Sequence, residues 1–244
     1  MHTPDRQQPA AAAAPVKPVY REVLADLETP LTALLKIGGH PSFLLESVEQ
    51  GEQIARWSFI GSGQRRRIEA FGRTVTVTGP DGIRELADAD PLEVLWAETV
   101  RPAEGVPELP GFWSGFVGYA SYDLVRTREN LPADNPDELG VPDLLFIEPE
   151  VLVIFDHFRR RIFVTASAVD GDREDERRAR ELVDRTVDRL RAPLPGVPGD
   201  RAGVHRPFTA NFTENEFRAA VSRAVDYVKA GEVEQVVPSL RLSA

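Results

Sequence analysis

The sequence predicts an α+β fold built on antiparallel sheets. Two hairpin patterns carry this expectation: residues 65–71 and 74–78 flank Gly72-Arg73, and residues 151–155 precede a matching run at 162–166. Strands joined by a short turn pair antiparallel. Helical spacing occurs apart from them, at 174–191 and 213–230, and no strand–helix alternation forces a parallel sheet.

Taken in order, residues 1–18 carry Pro4, Pro9, Pro15 and Pro18 around an alanine run and predict a disordered tail. Thr29-Pro30-Leu31 starts a helix, with Thr29 as N-cap and Pro30 at the first helical position. Leu31, Leu34 and Leu35 form its apolar face, and Gly38-Gly39 stops it. Phe43-Leu44-Leu45 predicts a short buried strand running into Glu46-Ser47, and 56–60 a further extended piece ending at Gly61. Thr and Val alternate through 74–78, as in a strand with one exposed face. Residues 91–98 predict a short helix, and 111–122 mix aromatic residues with glycines. The 151–155 and 162–166 runs are rich in β-branched and aromatic residues.

Leu182, Thr186, Val187 and Leu190 recur at helical spacing among dense charges, which predicts a surface helix with one buried stripe. Residues 192–210 are rich in proline and glycine and form a linker, which leaves a domain at 19–191 and a second unit opening at 211–244. There Thr213 and Glu216 make a capping box, with Phe212 and Phe217 at hydrophobic-staple positions. Val221, Ala224, Val225 and Val228 line one helical face, Gly231 ends the helix, and a strand is expected at 233–237. Two elements cannot bury both apolar faces alone, so further structure is expected to cover them.

A length of 244 residues allows one large domain, or one domain and part of another. The 42% hydrophobic and 28% charged content is that of a soluble globular chain. A net charge of -10 argues against nucleic-acid binding, which rests on many Lys and Arg contacts to phosphates. Arg65-Arg66-Arg67 and Arg159-Arg160-Arg161 are expected at solvated strand ends. The absence of cysteine excludes disulfides, thiolate zinc sites and a Cys nucleophile. The four histidines are scattered without metal-ligand spacing. No apolar run approaches the ~18 residues of a membrane span, and the N-terminus lacks the pattern of a signal peptide. Together these point to the cytoplasm. Gly61-Ser62-Gly63 lacks the lysine and strand-to-helix setting of a phosphate loop. Asp123 and Asp156 are expected as turn or cap residues, since no partner carboxylate can be placed beside them.

Five segments in order resemble the chorismate-utilising enzymes, the family of anthranilate synthase component I, aminodeoxychorismate synthase component I and isochorismate synthases. They are Phe43-Leu44-Leu45-Glu46-Ser47-Val48; Arg56-Trp57-Ser58-Phe59-Ile60-Gly61; Gly115 to Tyr119 with Ser121 to Arg126; Pro142-Asp143-Leu144 with Val153 to His157; and Ala230-Gly231-Glu232-Val233 with Gln235 to Ser239. The first two favour anthranilate synthase component I, with an aminodeoxychorismate synthase component I-like chain as the alternative. Glu234 and Leu240 depart from the pattern, which usually has an aromatic residue and Gln or Arg there.

The resemblance implies large antiparallel sheets packed face to face with helices outside. It implies a lyase that forms anthranilate and pyruvate from chorismate and ammonia or glutamine, in tryptophan biosynthesis. The family's catalytic groups and the glutamates that hold Mg2+ lie beyond the matched segments, so no catalytic residue is assigned and the chain alone is expected to be inactive. The partner it implies is a glutamine amidotransferase subunit, component II. It leaves three readings: an incomplete enzyme chain, a non-catalytic tryptophan-binding or interaction module, and a split enzyme whose catalytic half is a separate chain. It also implies a tryptophan feedback site at Glu46, Ser47 and Arg56. Glu46 suits the ligand ammonium, Ser47 can donate and accept, and the Arg56 fork suits its carboxylate. Leu44 and Leu45 could border the indole. Part of that pocket belongs to a segment outside the match, so weak tryptophan binding or none is expected.

Overall fold

The computed structural model describes residues 14–46, 56–103, 105–132, 136–196 and 207–243. The chain forms two compact units, Met1–Pro195 and Gly196–Ala244. In order, the first holds β1 (Val16–Leu24), α1 (Pro30–Ile37), β2 (Ser42–Glu46), β3 (Trp57–Ser62), β4 (Arg66–Phe71), β5 (Thr74–Gly79), β6 (Gly82–Leu86) and α2 (Pro91–Thr99). It continues with β7 (Val117–Ala120), a 3-10 helix (Tyr122–Thr127), β8 (Leu144–Glu148), β9 (Val151–Asp156), β10 (Arg161–Val169) and α3 (Arg173–Arg191). The second unit holds β11 (Thr209–Ala210), α4 (Glu214–Ala230) and β12 (Leu242–Ser243).

The first unit is α+β, with two five-stranded sheets ordered β1-β10-β9-β3-β2 and β6-β5-β4-β8-β7. All their ladders are antiparallel. Both expected hairpins form, β4–β5 and β9–β10. The chain passes from the first sheet to the second between β3 and β4, and returns between β8 and β9. The two crossings stay hydrogen-bonded, Glu150 N to Ser62 O at 3.1 Å and Arg65 N to Glu148 O at 2.9 Å. One two-stranded ribbon therefore runs through both sheets.

All six residues of β9 are buried, because it sits mid-sheet with both faces covered. On one face α1 and α3 pack Ala33, Ile37, Val183 and Val187 against Ile60, Val153, Phe155 and Val164. On the other, Leu109 and Trp113 from the 106–113 loop cover Leu152, Ile154 and Phe163. The α3 stripe is Ala179, Val183, Thr186, Val187 and Leu190, while Leu182 is half-buried at its margin. α1 begins and ends as expected, with Thr29 capping and Gly38 at positive φ. In the second sheet, Val75 and Val77 of β5 point inward onto Ile68, Leu144 and Leu124, with α2 alongside.

Four expectations are corrected. The tail assigned to 1–18 gives way to β1 at Val16, which pairs with β10 over its whole length. Pro18 is tolerated because β1 is a sheet edge. The 43–45 strand is half-buried rather than buried, because β2 forms the opposite edge. Residues 233–237 form no strand. Extended chain needs a ladder partner, and the ladder described in this unit joins β11 to β12 instead. α4 keeps its capping box and its Gly231 stop, but none of its residues is buried.

The fourth correction concerns Arg65 and Arg66, which are not solvated. Arg66 is 4% exposed, pairs with Glu98, lies 3.7 Å from Glu148 and stacks over Phe116. Arg65 donates to Asp175 at 2.6 Å and to the Ser167 carbonyl at 3.0 Å, and Ser167 donates to Glu148 at 3.2 Å. This network ties the second sheet to β10 and α3 of the first. Arg101 lies in the same field, its pKa lowered by burial first and by Arg66 next. The Arg159-Arg160-Arg161 run is exposed as expected.

Arg66→Ala leaves Glu148 buried without its cation and is expected to cost about 3–5 kcal/mol in urea unfolding. A loss below about 1 kcal/mol would show the network to be dispensable. A Cβ at Gly118 would lie 1.9 Å from the Leu145 carbonyl oxygen. Gly118→Ala should therefore push β7 off β8 and lower stability by about 1–3 kcal/mol, read from the thermal midpoint.

Candidate functional site

Of the expected ligand residues, Glu46 and Arg56 lie at one end of β2, β3 and β9. Glu46 ends β2, is exposed, and sits opposite Ser58 in the β2–β3 ladder. Ser47 lies outside the described residues. Arg56 precedes β3, and its carbonyl accepts from His157 N at 2.9 Å. Three strands thus bring residues a hundred positions apart to one corner.

The corner has two faces. Paired residues of a ladder share a face, so Glu46 and Ser58 lie on the same side as Phe155, which is opposite Ser58 on β9. His157 stacks on Phe155 with ring centroids 6.0 Å apart, and its Nε2 lies 2.7 Å from Ser58 Oγ. The other face holds Trp57 opposite Asp156. The Arg56 guanidinium is on this second face. It stacks over Trp57 at 4.4 Å and grips Asp156 through Nε at 3.1 Å and Nη2 at 2.6 Å.

Asp156 ends β9 with its side chain only 1% exposed, and its Oδ1 also accepts from Phe158 N and Arg159 N. Burial alone works to raise its pKa. The Arg56 hydrogen bond and the backbone donation of Arg159 outweigh it, and the carboxyl sits below its ordinary value. The Arg56 pKa is raised by the same hydrogen bond. Asp156 is thus the turn residue expected, and Asp123 pairs locally with Arg126 at 2.7 Å. Asp156 takes the Nε/Nη2 edge of the Arg56 guanidinium, while the Nη1/Nη2 edge of this part-exposed side chain keeps donors of the kind that suit a carboxylate.

Ser58 and His157 escaped the sequence reading. Each lies inside a segment quoted for the family resemblance, but only the β3·β9 ladder joins them. Gly61-Ser62-Gly63 proves to be packing: a Cβ on Gly61 would lie 2.2 Å from the Phe43 ring, and Ser62 Oγ donates to Gly38 O at 2.7 Å. Among the described residues, no three His, Asp or Glu side chains gather as a metal site. The corner sets the exposed Glu46 carboxylate and His157 imidazole on one face, with the Ser58 hydroxyl buried on the strand between them.

Asp156 generates a pH prediction. Its folded pKa lies below the unfolded value near ~4. The stabilisation is therefore present above that value and is lost as pH falls through the folded pKa. Arg56 is 32% exposed, so after screening the cost of Asp156→Asn at neutral pH is about 1–2 kcal/mol. In urea unfolding across pH, the gap between the variant and the unsubstituted chain should close in acid; a pH-independent gap contradicts this.

Comparison with known proteins follows the same lines. The family pattern described as chorismate binding enzyme matches residues 40–244. Anthranilate synthase component 1 of Thermus thermophilus is 45% identical over 231 residues, covering 94% of this chain and 48% of that protein. Anthranilate synthase component 1 of Pseudomonas aeruginosa is 37% identical over 236 residues, covering 93% and 48%. The crystal structure of anthranilate synthase component I from Streptococcus pneumoniae shares the fold, with a TM-score of 0.56 at 23% identity over 86% of this chain and 46% of that one. The chain spans about half the length of the curated relatives it matches. With most of its length matched by the family pattern, from the β2 edge through α4, this chain belongs to the chorismate-binding enzyme family.

Proposed function

We propose that the chain serves as the regulatory, N-terminal part of an anthranilate synthase component I, a lyase that forms anthranilate and pyruvate from chorismate and ammonia. The observation that carries this is the 45% identity to the Thermus thermophilus protein over 94% of this chain. In this reading the corner at Glu46 and Ser47 receives tryptophan, and Glu46 pairs with its ammonium. Arg56 braces the start of β3 through Asp156. Binding acts by linkage: tryptophan must favour a state with weaker hold on chorismate or slower turnover. The chain has no cysteine, so ammonia from glutamine comes through a separate amidotransferase subunit. Mg2+ has no fitting ligand group among the described residues, and no step is assigned to it here.

A chimera tests the reading. This chain replaces the matching half of the Thermus thermophilus enzyme, and anthranilate fluorescence is followed with chorismate, ammonia and Mg2+. Anthranilate formation inhibited by tryptophan is expected, while the 244-residue chain alone forms none. A folded chimera that makes no anthranilate, or activity of the chain alone, would overturn the reading. Calorimetry of the chain alone with tryptophan should show weak binding, because the described corner is open to water on one side; tight binding contradicts that.

A further inference from the structure

We propose that the junction of the two sheets holds a bound water joining Glu148 Oε2 to Arg101 Nε, and that this bridged pair fixes residues 100–103 against β1.

Arg65, Arg66 and Arg101 meet Glu98, Glu148 and Asp175 where the chain crosses between the sheets. Two pairs close directly, Arg65 with Asp175 at 2.6 Å and Arg66 with Glu98. Arg84 also reaches Glu98, but its side chain is half exposed and its charge faces water. Glu148 and Arg101 remain. Glu148 is 4% exposed, and its Oε1 accepts from Ser167 Oγ. Its Oε2 is buried and has no hydrogen-bond partner among the described residues, and neither has the buried Nε of Arg101. Arg66 Nη1 stands 3.7 Å from Oε2, close enough for attraction and too far for a hydrogen bond.

The backbone brings these two atoms to one place. Arg66 Nη1 donates to the Glu98 carbonyl at 3.2 Å, so the end of α2 lies at the crossing. Further on, Pro102 O accepts from Val16 N at 2.9 Å. Val16 is opposite Val169, two residues from the Ser167 that holds Glu148. Arg101 lies between these fixed points. Burial first, and Arg66 next, lower its pKa; of the carboxylates that oppose this, Glu148 acts most strongly.

A buried donor and a buried acceptor left apart each carry the cost of lost hydration. The local charges select what joins them. Arg66 and Arg101 repel a metal cation, and Glu98 and Glu148 repel an anion. A neutral molecule that accepts at one end and donates at the other satisfies both, and water is the smallest. Its oxygen takes the Arg101 Nε hydrogen, and one of its own hydrogens goes to Glu148 Oε2. The consequence is mechanical. Arg101 opens the segment that leads to Leu109 and Trp113, the cover over Leu152, Ile154 and Phe163. The bridge pins the start of that cover to β8, as Val16 pins it to β1.

The test is a high-resolution crystal structure of the full chain, together with amide hydrogen exchange of Arg101 variants. One ordered water should lie about 3 Å from both Glu148 Oε2 and Arg101 Nε. Arg101→Met keeps an apolar stem and removes the donors. The Val16 amide, bonded to Pro102 O, should then exchange about tenfold faster, while amides of the β4–β5 ladder keep their rates. Arg101→Lys keeps a charged donor and should exchange nearer the unsubstituted chain. A direct Glu148–Arg101 contact, or a dry junction, overturns the bound water. Unchanged exchange at Val16, a rise shared equally by the β4–β5 ladder, or a Lys variant as fast as the Met variant overturns the pinning.

Discussion

The antiparallel ribbon in which β3 and β4 run beside β9 and β8 is the constraint on which the rest of the first unit depends. Backbone hydrogen bonds continue across both crossings, so the two sheets share one spine. Every other strand is added to its sides: β10 and β1 beyond β9, β2 beyond β3, β5 and β6 beyond β4, β7 beyond β8. Burial follows from that position. β9 is covered on both faces and apolar for five residues, until Asp156 turns the chain. The edges β1 and β2 carry proline, charge and partial exposure, as edge strands do.

The same spine decides where charge can be buried. The crossing from β3 to β4 places Arg65 and Arg66 between the two sheets rather than at a wet strand end. Removing two guanidinium groups from water is costly unless partners are in place. Glu98, Glu148, Asp175 and the Ser167 carbonyl provide them. The partners come from α2, β8, α3 and β10, so the ion network closes only once both sheets have formed. It acts as a condition on their relative placement within this unit.

At the corner of β2, β3 and β9 the spine separates groups that the sequence placed together. Arg56 and Asp156 form a brace on one face, while Glu46, Ser58 and His157 gather on the other. Strand alternation alone makes this division.

Much of this was legible from residues alone. The caps at Thr29 and Thr213, the stop at Gly231, the Thr/Val alternation of β5 and the α3 stripe are local signals, set by backbone hydrogen bonding and by periods of two and 3.6 residues. The ordered segments from Phe43 to Ser239 carried the family as well. What the sequence could not decide was pairing. β1 was hidden by Pro15 just before it and by Pro18, which is tolerated because that strand lies at an edge. The 233–237 run has a strand's composition but forms no ladder, and a strand exists only with a partner. Arg66 looked solvated until two sheets closed around it, and Ser58 met His157 only through the β3·β9 register. Local propensity determined the elements; long-range ladders, which no short window of sequence contains, decided which charges are buried and which side chains share one face of the β2–β3–β9 corner.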